Sequence, residues 1–492
     1  MAENSGGARQ GQIGMIGLGV MGSNLALNID DHGFAVAVWN RTTEKTERFV
    51  DGNPGRRLIG TKTLEQFMAS LERPRRIILM IKAGSAVDEM LDAVKPLLSR
   101  GDIVIDAGNS WFMDTQRRDA ALKDDGINYF GMGVSGGEEG ARFGPSIMPG
   151  GPADAYKHLA PILEAIAAKT DSGPCVSYVG PDGSGHFVKM VHNGIEYGQM
   201  QLIAEVYDVL RKGLGLGAAD LAEIFADWNE GMLGSFLTEL TSKVFTVQDG
   251  ETGRPLVDVI LDKAEQKGTG KWTVQVALDL GVPIPTIAAG VEARVLSSMK
   301  EQRVAAAGKI RGPAKAAAPE RRELVDALHD ALLASEICSY AQGMCLIKSG
   351  SDQYKWNVNL REVARIWKGG CIIRARLLNP IMEAYGRNPN LPNLLVDAEF
   401  TSQVASAQAN WRKAVSGAVA LGIPAPALSA SLAYFDAYRT ADLPQNLTQA
   451  QRDAFGAHTY VRADHPERGS LHTDWAKQAE QHSAAGAGGA RT

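Results

Sequence analysis

One short stretch of the sequence combines side chains that can exchange protons with side chains that can bind a polyhydroxylated ligand. Counted from Lys189, polar residues follow three, four, seven and eight positions later, which is the spacing of one helical face. They are His192, Asn193, Glu196 and Tyr197. Lys189 and Glu196 are separated by roughly 10 Å along a helix axis, so they are spaced to flank a ligand rather than to pair. The set favours an amine and a carboxyl that bracket a polyol, although a solvated face is the alternative for Lys and Glu alone.

A glycine-rich loop near the amino terminus has the form expected of a dinucleotide-binding loop. Its sequence is Gly17-Leu18-Gly19-Val20-Met21-Gly22, a GxGxxG pattern. An apolar run precedes the loop and a helical pattern follows it, so the loop amides can face a pyrophosphate at the positive end of a helix. A tight strand-to-helix turn without a ligand is the alternative interpretation.

The residues after the second predicted strand indicate which dinucleotide binds. An acidic side chain about 20 residues after the loop would hold the ribose hydroxyl of NAD. The sequence instead has Asn40-Arg41-Thr42 at this point. A guanidinium can pair with the 2′-phosphate of NADP, and the two neighbouring side chains can donate hydrogen bonds to it. We therefore predict NADP as the cofactor, with an exposed arginine that has no partner as the alternative.

Other polar segments follow the predicted strands. Lys82-Ala83-Gly84 and Gly108-Asn109-Ser110 each follow a strand, and we expect them to line the crevice beside the nicotinamide, although each could be a simple turn. The glycine-rich segments 133–140 and 144–151 are expected to offer free backbone amides to an anion or a carboxylate.

Four cationic side chains farther along the chain are additional candidates for an anionic ligand, although composition alone does not separate them from surface charges. They are Lys267, Arg294, Arg452 and His458. The segment after Lys267 is not a phosphate-binding P-loop, because Glu265 and Trp272 replace a required glycine and a required hydroxyl residue. NTP hydrolysis is therefore disfavoured. No His, Asp and Glu cluster has metal-ligand spacing, so we expect no metal at the site.

The elements that must position these residues fall into three regions. Residues 1–182 alternate short apolar runs with helical patterns, which is typical of a doubly wound, Rossmann-type α/β domain. Residues 183–440 contain only long helical patterns, and residues 441–492 form a tail with little helical periodicity and no core of its own. The predicted strands, nearly continuous in apolar character, are 13–16, 35–39, 77–81, 103–107 and 127–130.

The helical region contains a faint internal repeat. Leu221, Glu223, Trp228 and Gly231 recur 139 positions later as Leu360, Glu362, Trp367 and Gly370. The segment 280–285 similarly recurs 141 positions later as 421–426. Two matches in the same order suggest two copies of one multi-helix unit, and chance similarity among common residues is the alternative. We expect the Ala- and Lys-rich segment 305–318 and the end of the chain, 476–492, to be weakly structured.

The composition excludes several classes of protein. Of 492 residues 45% are apolar and 22% charged, and no apolar stretch approaches the roughly 20 residues of a membrane span. A formal net charge of −5 gives no general attraction for nucleic acid or anionic membranes. Four cysteines without a CxxC pair form no disulfide framework. We expect a cytoplasmic protein that binds neither nucleic acid nor membranes.

Together these motifs resemble the 6-phosphogluconate dehydrogenase family, decarboxylating NADP enzymes of the pentose phosphate pathway. The resemblance extends from Ile13 to about Trp475. It is specific, because the shorter β-hydroxyacid dehydrogenases share the NADP loop but lack the long helical half and the tail. One departure is Gly19, where many members have alanine. The matching segments, in order, are 17–24, 40–42, 134–142, 185–198, 266–272 and 455–460.

The resemblance implies a role for each candidate residue. Lys189 would be the base and Glu196 the acid. The implied substrate contacts are Asn109, Ser135, Gly136, Gly137, His192, Asn193, Tyr197, Lys267, Arg294, Arg452 and His458. The implied cofactor contacts are Gly17, Leu18, Gly19, Val20, Met21, Gly22, Asn40, Arg41, Thr42, Ile81, Lys82, Ala83 and Asn109. The family is dimeric, and its tail reaches the other subunit, so Arg452 and His458 would complete the neighbour's site.

The implied reaction is the oxidative decarboxylation of 6-phosphogluconate to ribulose 5-phosphate with reduction of NADP. It requires a base and an acid whose environments bring their pKa values together toward neutrality. Two alternatives remain open at this point: an NADP-dependent β-hydroxyacid dehydrogenase that does not decarboxylate, and an NADP-binding regulatory protein without turnover. The intact Lys189 and Glu196 argue against the second.

Overall fold

The computed structural model describes residues 10–266, 268–313 and 320–480 of the chain. Its contacts group the chain into two compact units, Met1–Leu432 and Ala433–Thr492. Among the described helices, none is both long enough and apolar enough to cross a membrane.

A seven-stranded sheet forms the first part of the larger unit. Its strands are β1 (Ile13–Ile16), β2 (Val36–Trp39), β3 (Leu58–Gly60), β4 (Arg76–Leu79), β5 (Ile103–Asp106), β6 (Asn128–Ser135) and β7 (Ser146–Gly150). Their spatial order is β3-β2-β1-β4-β5-β6-β7; all neighbours are parallel except β6 and β7. The predicted doubly wound fold is confirmed. The strand order reverses between β1 and β4, where ligands bind in such folds.

The short helices of this part follow the strands in the chain. They are α1 (Val20–Asp31), α2 (Thr43–Asp51), α3 (Leu64–Ala69), α4 (Ser85–Val94), α5 (Phe112–Lys123), α6 (Gly137–Phe143), α7 (Ala153–Tyr156) and α8 (Ala160–Ile166), and a small hairpin of β8 (Lys169–Thr170) and β9 (Gly173–Pro174) comes after them. Both faces of the sheet are buried: Ile13 and Met15 belong to one hydrophobic cluster, and Ile16 belongs to another. Burial on both faces explains why the strands are continuously apolar.

Two strands of the seven-stranded sheet were not predicted, and one of them corrects the interpretation of a glycine-rich segment. Segment 144–151 was expected to offer free amides, but most of it forms β7, which pairs with β6. Ile147 and Met148 are fully buried in this strand. The burial of these two apolar residues therefore favours a strand. Its hydrogen bonds to β6 use backbone groups that were predicted to be available to a ligand. The other strand, β3, is only three residues long and half-exposed.

Long helices follow the sheet and confirm the predicted all-helical second region. They are α9 (Ser184–Leu214), α10 (Ala218–Asn229), α11 (Phe236–Thr246), α12 (Thr269–Asp279), α13 (Pro285–Ser298), α14 (Lys300–Ala307), α15 (Arg321–Tyr354), α16 (Leu360–Ile366), α17 (Leu378–Arg387), α18 (Ala398–Leu421) and α19 (Pro426–Tyr438). Helices α9 and α15 pack closely, with Ile195 against Gly343 and Phe187 against Gly350.

The order of these helices repeats, which supports the duplication over chance similarity. The series α9 to α13 matches α15 to α19, and α10 and α16 start 360 − 218 = 142 residues apart. Helices α13 and α19 start 426 − 285 = 141 residues apart. Gly281 and Gly422, which follow α12 and α18, have φ values of +65° and +67°. The two copies therefore share helix order and the left-handed glycine after the fourth helix.

The carboxy-terminal unit contains more regular structure than its sequence suggested. It includes α20 (Gln445–Gly456) and a hairpin of β10 (Tyr460–Val461) and β11 (Ser470–Leu471). Helix α20 was not predicted, because the buried residue of this helix is Asp453 and no apolar stripe marks it.

The two segments expected to be weakly structured, 305–318 and 476–492, are each partly helical. Residues 305–307 belong to α14, and residues 476–480 are helical. Residues 314–318 and 481–492 lie outside the described residues. The division of the chain at residues 182 and 440 stays a prediction.

Candidate active site

The five polar residues predicted to share a helical face all lie on α9. The apolar stripe beside them, Val188, Val191, Ile195 and Leu202, is fully buried and fixes the rotation of the helix about its axis. The helix ends at Gly215, whose φ of +68° gives a left-handed C-cap. The prediction of a helix over this segment is confirmed, and the chemical roles of its side chains stay predictions.

Strand β6 lies against this helical face through small residues. Ser135 Oγ is 3.3 Å from Nε2 of His192. A Cβ added two residues earlier, at Gly133, would be 2.5 Å from Cβ of Lys189, so only glycine allows this close approach. Residues two apart on a strand share a face, and the small side chains at 133 and 135 were therefore a readable signal for this contact. The sequence analysis singled out Ser135 but missed the packing role of Gly133.

Lys189 lies in an environment that favours a neutral amine. The residue is 6% exposed, and its Nζ is 3.4 Å from Nδ1 of His192. Burial lowers the pKa of Lys189, and the negative charge of Glu196 opposes that effect. No ion pair links Lys189 to a carboxylate within the described part of the chain. The neutral form of this amine is thus more accessible than that of an exposed lysine, which suits a base.

Glu196 lies in an environment that favours a protonated carboxyl. Its side chain is 22% exposed, and Oε2 is 4.0 Å from Nδ1 of His192. Burial raises the pKa of Glu196, while Lys189 and Arg294 lower it. The pKa values of Lys189 and Glu196 are thus shifted toward each other, in the directions that the sequence analysis required of a base and an acid.

His192 is held between these two groups as a neutral imidazole. Besides its contact with Ser135, its Nδ1 is 3.1 Å from Oδ1 of Asn193. Its ring contacts the ring of Trp367 edge-on, with the centroids 5.4 Å apart. Burial, followed by the positive charge of Lys189, lowers the pKa of His192 well below its usual value. The arrangement suits hydrogen bonding to a ligand, and Trp367 is a supporting residue that the sequence analysis missed.

Two loops at the ends of sheet strands supply the remaining polar groups near α9. Ser135 ends β6, and Gly136 and Gly137 follow with φ values of +109° and +62° at the start of α6. Asn109 is exposed in the loop after β5. Asp106 anchors that loop, because its carboxylate accepts hydrogen bonds from the backbone amide of Gly108 at 3.0 Å and from Ser110 Oγ at 2.6 Å.

Of the four additional cations, the structure places one beside the helical face. The guanidinium of Arg294 lies 3.5 Å from the centroid of the Tyr197 ring, a cation–π contact. It also donates to the backbone carbonyl of Glu265 at 3.2 Å. Lys267 lies outside the described residues. Arg452 and His458 belong to the carboxy-terminal unit, and both are exposed.

A cleft of ≈ 510 Å³ opens at the switch point between β1 and β4. Of the predicted cofactor residues, those lining it are Gly17, Gly19, Asn40, Arg41, Thr42, Ile81 and Lys82. The others, Leu18, Val20, Met21, Gly22, Ala83 and Asn109, do not line it. Gly17 has a φ of +99°, and a Cβ there would be 2.5 Å from the carbonyl oxygen of Met80. A side chain is thereby excluded at position 17, and the amides of the loop suit a pyrophosphate.

Asn40 links the glycine-rich loop to the end of β2. Its Oδ1 accepts a hydrogen bond from the amide of Leu18 at 3.1 Å, and its Nδ2 donates to the carbonyl of Thr42 at 3.2 Å. The hydrogen bond from Asn40 to a 2′-phosphate stays a prediction.

Two cations line the cleft on the side of β2 and α2. Arg41 is exposed, and its guanidinium makes no hydrogen bond or ion pair to any described residue. Lys45 lines the same cleft from the first turn of α2. The sequence analysis missed Lys45, although it follows Arg41 by one helical turn. An arginine and a lysine on one wall fit a ligand with an extra phosphate, as in NADP.

Two family models together match nearly the whole chain. The NAD binding domain of 6-phosphogluconate dehydrogenase matches residues 12–180. The 6-phosphogluconate dehydrogenase C-terminal domain matches residues 185–475. The two matches meet between the sheet and helix α9.

Individual relatives agree with the family models over their full lengths. An NADP(+)-dependent, decarboxylating 6-phosphogluconate dehydrogenase of Bacillus subtilis is 56% identical, with 95% of this chain and 99% of that protein covered. A decarboxylating 6-phosphogluconate dehydrogenase of Escherichia coli is 52% identical, with 94% and 99% covered. A solved structure of the Plasmodium falciparum 6-phosphogluconate dehydrogenase superposes with a TM-score of 0.91 at 45% identity, covering 94% of this chain and 100% of that one.

Proposed function

The chain belongs to the 6-phosphogluconate dehydrogenase family, and we propose that it oxidatively decarboxylates 6-phosphogluconate to ribulose 5-phosphate and carbon dioxide while reducing NADP. It is an NADP-dependent oxidoreductase. The observation that carries the proposal is the arrangement on α9, where a buried amine and a partly buried carboxyl flank His192. Their pKa shifts suit one group for taking a proton and the other for giving one.

The first step is oxidation at C3 of the substrate. NADP, when bound, supplies the acceptor for the hydride that leaves C3. Lys189, neutral at the start, takes the proton from the C3 hydroxyl as the C–H bond breaks, and a 3-keto acid forms. Burial stabilises the neutral amine that this step needs.

The second step is loss of the carboxylate. The C3 ketone lies β to the carboxylate, so it accepts the electron pair released when carbon dioxide leaves. Lys189, now an ammonium, donates a hydrogen bond to the ketone oxygen and stabilises the developing enolate charge. Transfer of its proton to that oxygen leaves an enediol and returns the amine to its neutral form.

The third step is protonation of carbon. Glu196, whose protonated form burial favours, gives its proton to the carbon that lost the carboxylate, which becomes C1 of the product. Lys189 takes the proton of the enediol hydroxyl as the ketone re-forms, and ribulose 5-phosphate results. Each residue then returns to its starting state by proton exchange with solvent.

We propose that the remaining candidates hold the substrate. Ser135, Gly136, Gly137 and Asn109 offer donors from the sheet side, and His192, Asn193, Tyr197 and Arg294 offer polar groups from the helices. Lys267, Arg452 and His458 are proposed contacts on the strength of the family resemblance. The last two are proposed to act on the site of the other subunit in a homodimer.

Exposed apolar side chains support the proposed homodimer. Many of the large ones in the first unit fall between residues 259 and 310, and they include Ile260, Leu261, Leu278, Leu296, Val304 and Ile310, each at least 57% exposed. Apolar surface of this kind marks sites of protein association. A cytoplasmic location is likewise our proposal, supported by four cysteines that are all free.

The role of Arg41 is tested by its removal. If Arg41 pairs with the 2′-phosphate, Arg41→Ala should weaken NADP binding by about 1.5 to 3 kcal/mol, the range of a charge-assisted contact, and leave NAD binding nearly unchanged. Dissociation constants measured calorimetrically for both cofactors decide the matter. The exposed Arg48 of α2 does not line the cleft, so Arg48→Ala is the matched control. Equal losses for NADP and NAD would show that Arg41 is only structural.

The role of Glu196 is tested by comparing the first step with the whole reaction. Glu196→Gln cannot give a proton, so overall turnover should fall by about 10²-fold while single-turnover hydride transfer falls less. Wild-type activity should also decline as pH rises through the raised pKa of Glu196, and that decline should be absent in the variant. Glu292→Gln, on the exposed side of α13, is the control. Full turnover by Glu196→Gln would remove this residue from the mechanism.

The proposed activity itself is tested by stoichiometry. One mole of NADPH and one mole of carbon dioxide should form for each mole of 6-phosphogluconate consumed. NADPH without carbon dioxide would instead indicate a β-hydroxyacid dehydrogenase that does not decarboxylate. NADP binding without turnover would indicate a regulatory protein.

A further inference from the structure

A fully buried carboxylate organises the carboxy-terminal unit. Asp453 is 0% exposed, although the residues on either side of it in α20 are exposed. Oδ1 accepts hydrogen bonds from the amide of Thr459 and from Nδ1 of His472, both at 2.9 Å. Oδ2 accepts from the amide of Thr473 at 3.0 Å and from Nε1 of Trp475 at 2.8 Å. Four donors from two separate places in the chain, residue 459 and segment 472–475, thus converge on one side chain.

These hydrogen bonds keep Asp453 ionised inside the unit. Burial alone would raise the pKa of the carboxyl, but the donors from His472, Trp475 and the two backbone amides lower it well below its usual range. The ionised form of Asp453 is therefore strongly favoured. A buried charge with all its acceptor positions used is a rigid anchor.

Asp453 accepts hydrogen bonds from the two residues that flank His458 in the chain. Ala457 and Thr459 have φ values of +49° and +61°, a left-handed conformation that side chains other than glycine adopt only when their surroundings hold them. The amide of Ala457 donates to the backbone carbonyl of Asp453 at 2.9 Å, and the amide of Thr459 donates to its carboxylate. Asp453 therefore holds both residues that set the direction of His458.

The anchor also reaches the side chain of Arg452. Gln449 accepts a hydrogen bond from Nη1 of Arg452 at 2.9 Å. Nε2 of the same glutamine donates to the carbonyl of Thr459 at 2.5 Å. A continuous set of hydrogen bonds thus connects Arg452, through Gln449 and Thr459, to Asp453.

We propose that Asp453 is a positioning residue, which fixes Arg452 and His458 in the geometry needed to grip the phosphate of the substrate. The proposal rests on the proposed function, in which those two side chains contact the substrate. Asp453 itself touches no substrate, because it is fully buried within its own unit. Its effect is to fix the position of the exposed side chains of Arg452 and His458 relative to each other.

The test replaces the carboxylate with an amide of nearly the same shape. In Asp453→Asn the amide nitrogen cannot accept a hydrogen bond, so one pair of donors loses its partner. In the full-length enzyme the KM for 6-phosphogluconate and the inhibition constant of inorganic phosphate should both rise by about 10- to 100-fold, while kcat stays within about threefold. The dissociation constant of NADP should not change. Asp464→Asn, which removes an exposed acid paired with Arg462 in the same unit, is the control and should match the wild type.

A second variant covers the case in which Asp453→Asn does not fold. His472→Ala removes one of the four donors through a side chain that is half-exposed. It should raise the KM for 6-phosphogluconate in the same direction, by a smaller factor. An unchanged KM in both variants would overturn the positioning role.

Failure of the positioning role and failure of the proposed function give different results. If Arg452→Ala and His458→Ala leave the KM for 6-phosphogluconate unchanged, the two side chains do not contact substrate and the premise is lost. If they raise it and Asp453→Asn does not, the contacts stand and the positioning role is wrong. If Asp453→Asn lowers kcat and NADP affinity together with substrate affinity, Asp453 is structural and the inference is again overturned.

Discussion

Lys189→Ala is expected to reduce turnover by about 10²- to 10⁴-fold, the usual share of a general base. Burial favours the neutral, proton-accepting form of this amine. The variant should still bind 6-phosphogluconate and NADP, because other residues make most of the proposed contacts. Rates measured from NADPH absorbance, beside dissociation constants for both ligands, separate loss of chemistry from loss of binding.

The pH dependence of wild-type activity provides a second test of Lys189 as the base. Lys189 acts as a base only when neutral, so activity should rise as pH increases through its lowered pKa. Lys189→Ala should lack that rise. Lys212→Ala, at the exposed end of the same helix, is the control, since Lys212 only pairs with Asp208. Wild-type turnover in Lys189→Ala would show that the base is elsewhere.

Two inactive homodimers should restore activity to each other when mixed. In a two-fold symmetric dimer whose tail crosses to the partner, Lys189 of one chain works with Arg452 of the other. Lys189→Ala and Arg452→Ala homodimers should each be nearly inactive. After joint unfolding and refolding, about half the dimers are mixed, and each has one intact site and one doubly mutated site, so roughly a quarter of wild-type activity should return.

The control for this experiment pairs two changes on the same helix. Lys189→Ala mixed with Glu196→Gln should give no gain over the parents, because both residues lie on α9 and come from one subunit. Differently tagged chains show by mass spectrometry that mixed dimers form. If they form and the Lys189→Ala and Arg452→Ala mixture stays inactive, Arg452 serves its own subunit.

Periodicity made the central helix of the site predictable. The face with Lys189 and Glu196 follows from spacing within one helix, and the buried strands follow from short apolar runs. Helix α20 was missed because its buried face is the single side chain of Asp453, which leaves no hydrophobic period. Segment 144–151 was misread because glycines suggested a loop, whereas the burial of Ile147 and Met148 made it a strand.

Contacts between distant residues could not be predicted from local pattern. Ser135 and His192 are 57 residues apart, and the ring of Trp367 meets that histidine from a third element. Lys45 is a different case, because it lies only four residues after Arg41 and its place in the cofactor cleft could have been predicted from that spacing. The family resemblance implies which residues react, but the groups that orient them are found only when the chain is folded.

The close approach of β6 to α9 has a consequence for how this protein tolerates sequence drift. At Gly133 a single added methyl would meet the stem of Lys189, whereas at Gly19 nothing lies within 4 Å of the same methyl. In a genetic screen, loss-of-function alleles at position 133 should therefore be recovered together with those at the proposed base, Lys189, although Gly133 has no proposed chemical role. Alleles with alanine at position 19 would pass unnoticed. A position in this protein can therefore be essential because a larger side chain does not fit there, and not only because its residue takes part in the reaction.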